Sequence, residues 1–139
     1  MDPAAGRPAP QGMNLVVVAA VIVDDGRFLL TRRQAGVHLA HLWEFPGGKT
    51  GADETHAAAL KREIREELDA DVTVRDLVLE TTHAYPDRTV TLHFYWCDLV
   101  GTPRPMLGQE MRWVPRGELA TLGFPPADEE LIELLVRSA

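Results

Sequence analysis

A chain of 139 residues, 45% hydrophobic and 25% charged, has the make-up of one globular domain with a sizeable core. Its formal charge of −7 excludes a surface built for non-specific binding to nucleic acid polymers or an anionic membrane, but not a small polyanion held through a metal ion. The single cysteine, Cys97, excludes a disulfide framework and makes the reducing cytoplasm the expected compartment.

The opening MDPAAGRPAPQG lacks periodicity and is rich in Pro, Gly and Ala, so residues 1–12 are expected to be a disordered tail. Residues 13–139 then form one domain. The apolar run LVVVAAVIV, residues 15–23, is half the length of a membrane span and has no basic lead, so it reads as a buried strand. DDG signals a hairpin turn, with RFLLTRR as the returning strand. QAGVHLAHLWEFPGGKTGADE has no clear period and reads as mostly loop.

ETHAAALKREIREELD has helical spacing, with Thr55 as N-cap and Ala57, Leu60, Ile64 and Leu68 on one apolar stripe. Two β segments follow, VTVRDLVLET and RTVTLHFYWCDLV, with YPD as the turn between them. MRWVP is a short strand, and PADEELIELLVR is a closing helix with acids in its first turn. The order strands, helix, strands, helix predicts an α+β fold: a mixed α/β sandwich with a helix on each side of the sheet. Trp43, Trp96 and Trp113 fall in separate elements, which favours core or pocket duty over a stacking surface for single strands.

The chemistry concentrates in the first helix. Glu63, Glu66 and Glu67 span an arc of about 100° beside the apolar stripe, where they can look into a cleft at the sheet edge. By itself such a helix could equally be a solvated face of spaced ion pairs. What precedes it narrows the reading: Gly48, five residues, Glu54, seven residues, then Arg62-Glu63 and Glu66-Glu67. At residue frequencies of about 5–7%, six fixed positions match by chance about once in 10⁵. Clustered carboxylates repel one another and any phosphate; a bound divalent cation reverses both effects.

This pattern resembles the Nudix box of the Nudix hydrolases, a loop–helix–loop that binds divalent metal and a nucleoside diphosphate derivative. The resemblance implies a Nudix-type mixed sheet between helices. It also implies Mg²⁺ as cofactor, with Mn²⁺ able to substitute, held by Glu63, Glu66 and Glu67 near the Gly48 carbonyl. Glu63 would orient or deprotonate the attacking water, Arg62 would fix a box glutamate, and Glu54 would support that network. One position departs from the box: Asp69 stands where the family usually has Gly, and Asp tolerates left-handed backbone geometry.

The segments LLTRRQAGVHLAHLWEFPGGK, YPDRTVTLHFYW, GQEMRWVP and FPPADEEL extend the resemblance to the MutT branch, which cleaves nucleoside triphosphates to monophosphate and pyrophosphate. The branch implies a (d)CTP-type or oxidised guanine nucleotide (8-oxo-dGTP) as substrate and a role in nucleotide-pool sanitation. Arg33 and His38 fall where the branch contacts base and phosphate, Phe45 lines the base pocket, and Arg88 supports it from behind. Asp128 occupies a position where enzymes selective for 8-oxoguanine often have Asn. An ionised Asp only accepts hydrogen bonds, which tilts the expectation toward cytidine nucleotides. Leu107 stands where the branch often has a further Glu ligand, and the neighbouring Glu110 has the wrong spacing to replace it. The expected partner is a small nucleotide, with the chain a monomer or homodimer. The alternatives are action on ADP-ribose or a dinucleotide, a non-catalytic nucleotide-binding module, or an acidic Mg²⁺ or Ca²⁺ buffer.

Overall fold

A computed structural model describes residues 13–37 and 39–137. The tail expected over residues 1–12 and the candidate ligand contact His38 both lie outside those residues.

Strand β1 (Met13–Asp24) forms the centre of the sheet. Val18, Ala20 and Ile22 face one side, Ala19 and Val21 the other, and all five are buried. That double burial is why the strand reads as a continuous apolar run instead of an alternating one. β1 turns through Asp25 and Gly26, both with positive φ, into β2 (Arg27–Arg32), as the DDG signal predicts. Two short strands follow, β3 (Trp43–Glu44) and β4 (Gly47–Lys49), where the sequence suggests only loop. Strands of two and three residues are too short to show a period. β4 lies antiparallel to β1, with Gly48 opposite Val18.

Helix α1 (His56–Leu68) begins as expected at Thr55, whose hydroxyl accepts a hydrogen bond from the Ala58 N–H at 3.1 Å. Its buried residues are Ala59, Leu60, Ile64 and Leu68; Ala57, expected in the stripe, is exposed. Side chains tilt toward a helix's N-terminus, so a first-turn residue points past the packed segment.

β5 (Asp71–Tyr85) and β6 (Arg88–Val100) form a long antiparallel pair. β5 runs on to Tyr85, beyond the predicted segment, and irregular register between Val74 and Leu79 breaks its periodicity. β6 pairs parallel with β1 from Met13/Arg88 to Ile22/Cys97, while β7 (Met111–Pro115) pairs with β2. Short 3-10 turns at Arg116–Thr121 and Pro126–Asp128 lead into α2 (Glu129–Arg137). The predicted closing helix thus opens as a 3-10 turn.

The sheet carries a core on each face. Val18, Ala20, Ile22 and Leu29 pack with α1 through Leu60, Ile64 and Leu68. Ala19, Val21, Phe28 and Leu30 pack with α2 through Leu131, Ile132 and Leu135. This is the expected mixed sheet with a helix on each side. Trp43 and Trp96 join the α2-side core and Trp113 packs on the other, so the three form no common surface. Among the described residues, no helix is long and apolar enough to cross a membrane.

Candidate active site

Helix geometry divides the glutamates of α1. At 100° per residue, Glu67 falls about 20° from Leu60 and Glu63 about 60° from it, inside the arc bounded by buried Ala59 and Leu68. Glu66 falls about 120° away, beyond that arc. Glu63 and Glu67 are accordingly half-buried and line a cavity of about 430 Å³, within the range of small-molecule sites. The Glu66 side chain is 60% exposed and lies 3.5 Å from Arg62, outside that cavity. The structure therefore brings together two of the three predicted carboxylates.

β4 passes close to both neighbours because its first two residues are glycines. A Cβ on Gly47 would run into the Val18 carbonyl of β1, and one on Gly48 would lie 2.5 Å from the Glu63 carboxyl. A side chain at Gly47 would push the strand away from β1, and one at Gly48 would displace the Glu63 carboxyl.

Arg62 organises the loop side. Its Nε and Nη2 donate to the two Glu54 oxygens at 2.6 and 2.9 Å, and Nη1 donates to Glu63 at 2.8 Å. Nη2 also donates to the Lys49 carbonyl at 3.1 Å, while the Gly51 N–H donates to Glu54 at 2.7 Å. The Arg62 and Gly51 bonds hold Glu54 well below the carboxylate range, at about 2. Glu54 thus supports the network, as its position in the motif implies.

Glu67 moves the other way. Burial pushes its carboxyl up to about 9, reinforced by the hydrogen bond and charge of Glu63 and by Glu44, against a bond from the Gly47 backbone. Glu44 is the site residue that sequence reasoning missed. Its carboxylate sits 2.8 Å from Arg33 Nη1 and is raised by burial, with Arg33 opposing. The signal was an acid between two buried aromatics, Trp43 and Phe45.

The far end of the cavity is apolar. Phe45 is buried, edge-on to Phe94 at 6.0 Å and stacked on Phe124 at 5.8 Å. Leu15, Val17, Val90 and Leu92 extend this wall. Arg33 and Arg88 line the cavity, and Arg88 also pairs with Asp87 of the β5–β6 turn at 2.9 Å. Asp128 reaches it from the 3-10 turn before α2. It is only 5% exposed, and burial, then Glu44, push its carboxyl up to about 7 against Arg33. The premise of an acid that only accepts therefore changes: near neutral pH this carboxyl also donates.

Neither Leu107, which stands where a further Glu ligand is often found, nor Glu110, weighed as its replacement, lines the main cavity. Leu107 is 57% exposed, and Glu110 pairs with Arg32 at 3.2 Å. Asp69 adopts left-handed φ of 53° and ψ of 40° and closes α1 in the usual glycine's place, its side chain 2.7 Å from Arg104.

Among the described residues, no three His, Cys, Asp or Glu side chains converge as a finished metal cage. The donors that do meet, two carboxylates beside a glycine backbone, are all oxygens, which suits a hard divalent ion. The half-buried Glu63–Glu67 pair, with Arg62 on Glu63 as its paired cation, fits such an ion on the same grounds.

Known proteins resemble this chain in sequence and fold. A family model described as NUDIX domain matches residues 17–134. The chain is 39% identical over 118 residues to the CTP pyrophosphohydrolase of Escherichia coli, covering 84% of this chain and 87% of that protein. It is 37% identical over 126 residues to the 8-oxo-dGTP diphosphatase of Haemophilus influenzae, covering 88% and 93%. The solution structure of a MutT protein from methicillin-resistant Staphylococcus aureus superimposes with a TM-score of 0.75 at 35% identity, covering 92% of this chain and 99% of that one.

Proposed function

The chain belongs to the Nudix hydrolases, and from that premise we propose that it hydrolyses a nucleoside triphosphate to the monophosphate and pyrophosphate in the cytosolic nucleotide pool. One observation carries the reading: Glu63 and Glu67 meet the Gly47–Gly48 strand at the rim of a cavity whose far wall is apolar and aromatic. The rim suits phosphates brought in by a cation, and the wall suits a base.

Glu63, Glu67 and the Gly48 carbonyl would hold Mg²⁺ or Mn²⁺, joined by Glu66 if its side chain turns inward. When bound, the ion would neutralise phosphate charge and polarise the scissile anhydride. Glu63 accepts the proton of the attacking water, its carboxylate held by Arg62 so that one oxygen keeps its direction. Arg33 offers a guanidinium fork toward the nucleotide, oriented by Glu44. Phe45 and Phe94 form a wall against which the base packs, and Asp128 meets its polar edge.

The relatives divide between a CTP pyrophosphohydrolase and an 8-oxo-dGTP diphosphatase, and Asp128 is the residue that would choose. The test is pyrophosphate release from CTP, dCTP and 8-oxo-dGTP with Mg²⁺, repeated in excess chelator. We expect release from at least one, abolished by chelator. No release from any, or release indifferent to chelator, ends the proposal.

A further inference from the structure

The loop over residues 104–109 closes the end of α1. A helix leaves its last carbonyls without partners inside the helix. Here the Arg104 N–H donates to Leu68 O at 2.8 Å and the Met106 N–H to Glu67 O at 2.9 Å. Gln109 adds a second bond to the same oxygen: its Nε2 donates to Glu67 O at 3.1 Å. Its Oε1 accepts from the Leu107 N–H at 2.8 Å. A backbone N–H only donates and a carbonyl only accepts, so these partners fix the orientation of the amide. Gln109 is 8% exposed, and both ends of its amide are satisfied.

The placement is specific to the site. A second cavity of about 160 Å³ shares Arg33, Glu44 and Glu67 with the main one, so these residues form the wall between the two. Gln109 lines only the second cavity and approaches Glu67 from behind that wall. We propose that Gln109 is a positioning residue for Glu67, locking the last turn of α1 so that the carboxylate projects into the main cavity at a fixed place. This rests on the reading of Glu67 as a metal ligand.

The test is Gln109→Glu, which has the same length and keeps the acceptor for Leu107 N–H but sets a carboxylate oxygen against Glu67 O. Gln34→Ala is the comparison: it frees Leu107 O from its 2.9 Å bond without touching Glu67. Binding of Mn²⁺ is read by electron paramagnetic resonance of the free ion, without nucleotide, alongside kcat, KM and Tm. In Gln109→Glu, Mn²⁺ affinity and kcat should each fall about 10-fold, the lower end for lost support of a ligand, with nucleotide KM within about twofold. Gln34→Ala should bind Mn²⁺ like the wild type. A folded Gln109→Glu with wild-type Mn²⁺ affinity and kcat overturns the inference alone. Equal losses in both variants overturn it too, because they would reflect a loosened loop. A wild type that binds no Mn²⁺ removes the reading of Glu67 as a metal ligand and this inference with it, whereas the hydrolase reading stands or falls on pyrophosphate release.

Discussion

Arg62 holds both oxygens of Glu54, at 2.6 Å through Nε and 2.9 Å through Nη2, and still reaches Glu63 at 2.8 Å. Only a planar fork makes these contacts at once. Lysine keeps the charge but has a single nitrogen, so Arg62→Lys should free either the loop or the Glu63 carboxylate. Misplacing a reacting group by about an ångström costs on the order of 10²-fold. Steady-state kinetics should show kcat down by roughly 10- to 100-fold, with a smaller change in KM. A variant within about twofold of wild type would mean that Glu63 needs no such support.

The three glutamates of α1 should not be equivalent. Glu63 and Glu67 line the cavity, whereas Glu66 is turned outward toward Arg62. Glu63→Gln is expected to lower kcat by roughly 10²- to 10⁴-fold, the range for a lost acid–base group, and Glu67→Gln to weaken Mn²⁺ binding and lower kcat with it. Glu66→Gln should cost less than either. Measuring kcat against Mn²⁺ concentration separates the cases. Glu66 as important as Glu67 would require its side chain to swing into the cavity when the ion binds.

Elements with a long repeat were legible in the sequence: the buried β1, α1 with its Thr55 cap, the β5–β6 pair and the closing helix. The box motif located Glu63, Glu67, Gly48 and Arg62 because its spacing follows the helix and the tight strand before it. Two kinds of information were missing. β3 and β4 are too short for a period, so nothing local showed that Glu44 would be carried beside Arg33. And the burial of the Asp128 side chain is set by distant segments. An acid in a helix's opening turn is usually ionised and solvated; here it lies among Glu44, Arg33 and apolar walls.

Adjacent glycines should fail differently. A Cβ on Gly47 collides with backbone, the Val18 carbonyl in the centre of the sheet, and nothing there can move aside cheaply. At Gly48 it meets the carboxyl of Glu63, a side chain with freedom to rotate. Gly47→Ala should therefore lower Tm markedly, by the several degrees that about 1–3 kcal/mol of overpacking produces in a domain of this size. Gly48→Ala should fold with a Tm close to wild type and lose most activity. Thermal melts beside pyrophosphate release test both. The reverse pattern would contradict the packing described here.

Asp128 supplies a prediction with a pH axis. Its carboxyl is raised from 3.8 to about 7, so between those values the folded protein keeps a proton that the unfolded chain releases. The folded state binds more protons there, so stability falls as pH rises from about 4 and levels off above about 7. Asp128→Asn removes this dependence, and its Tm advantage over the wild type should grow from pH 5 to pH 8. The same proton bears on base choice. Below about 7 the protonated carboxyl can donate to a base carbonyl, and above it the carboxylate only accepts. The wild-type ratio of kcat/KM for CTP over 8-oxo-dGTP should rise across that pH, while Asp128→Asn, whose amide does not titrate, should hold a flat ratio. Parallel pH profiles in the two proteins would show that Asp128 does not read the base.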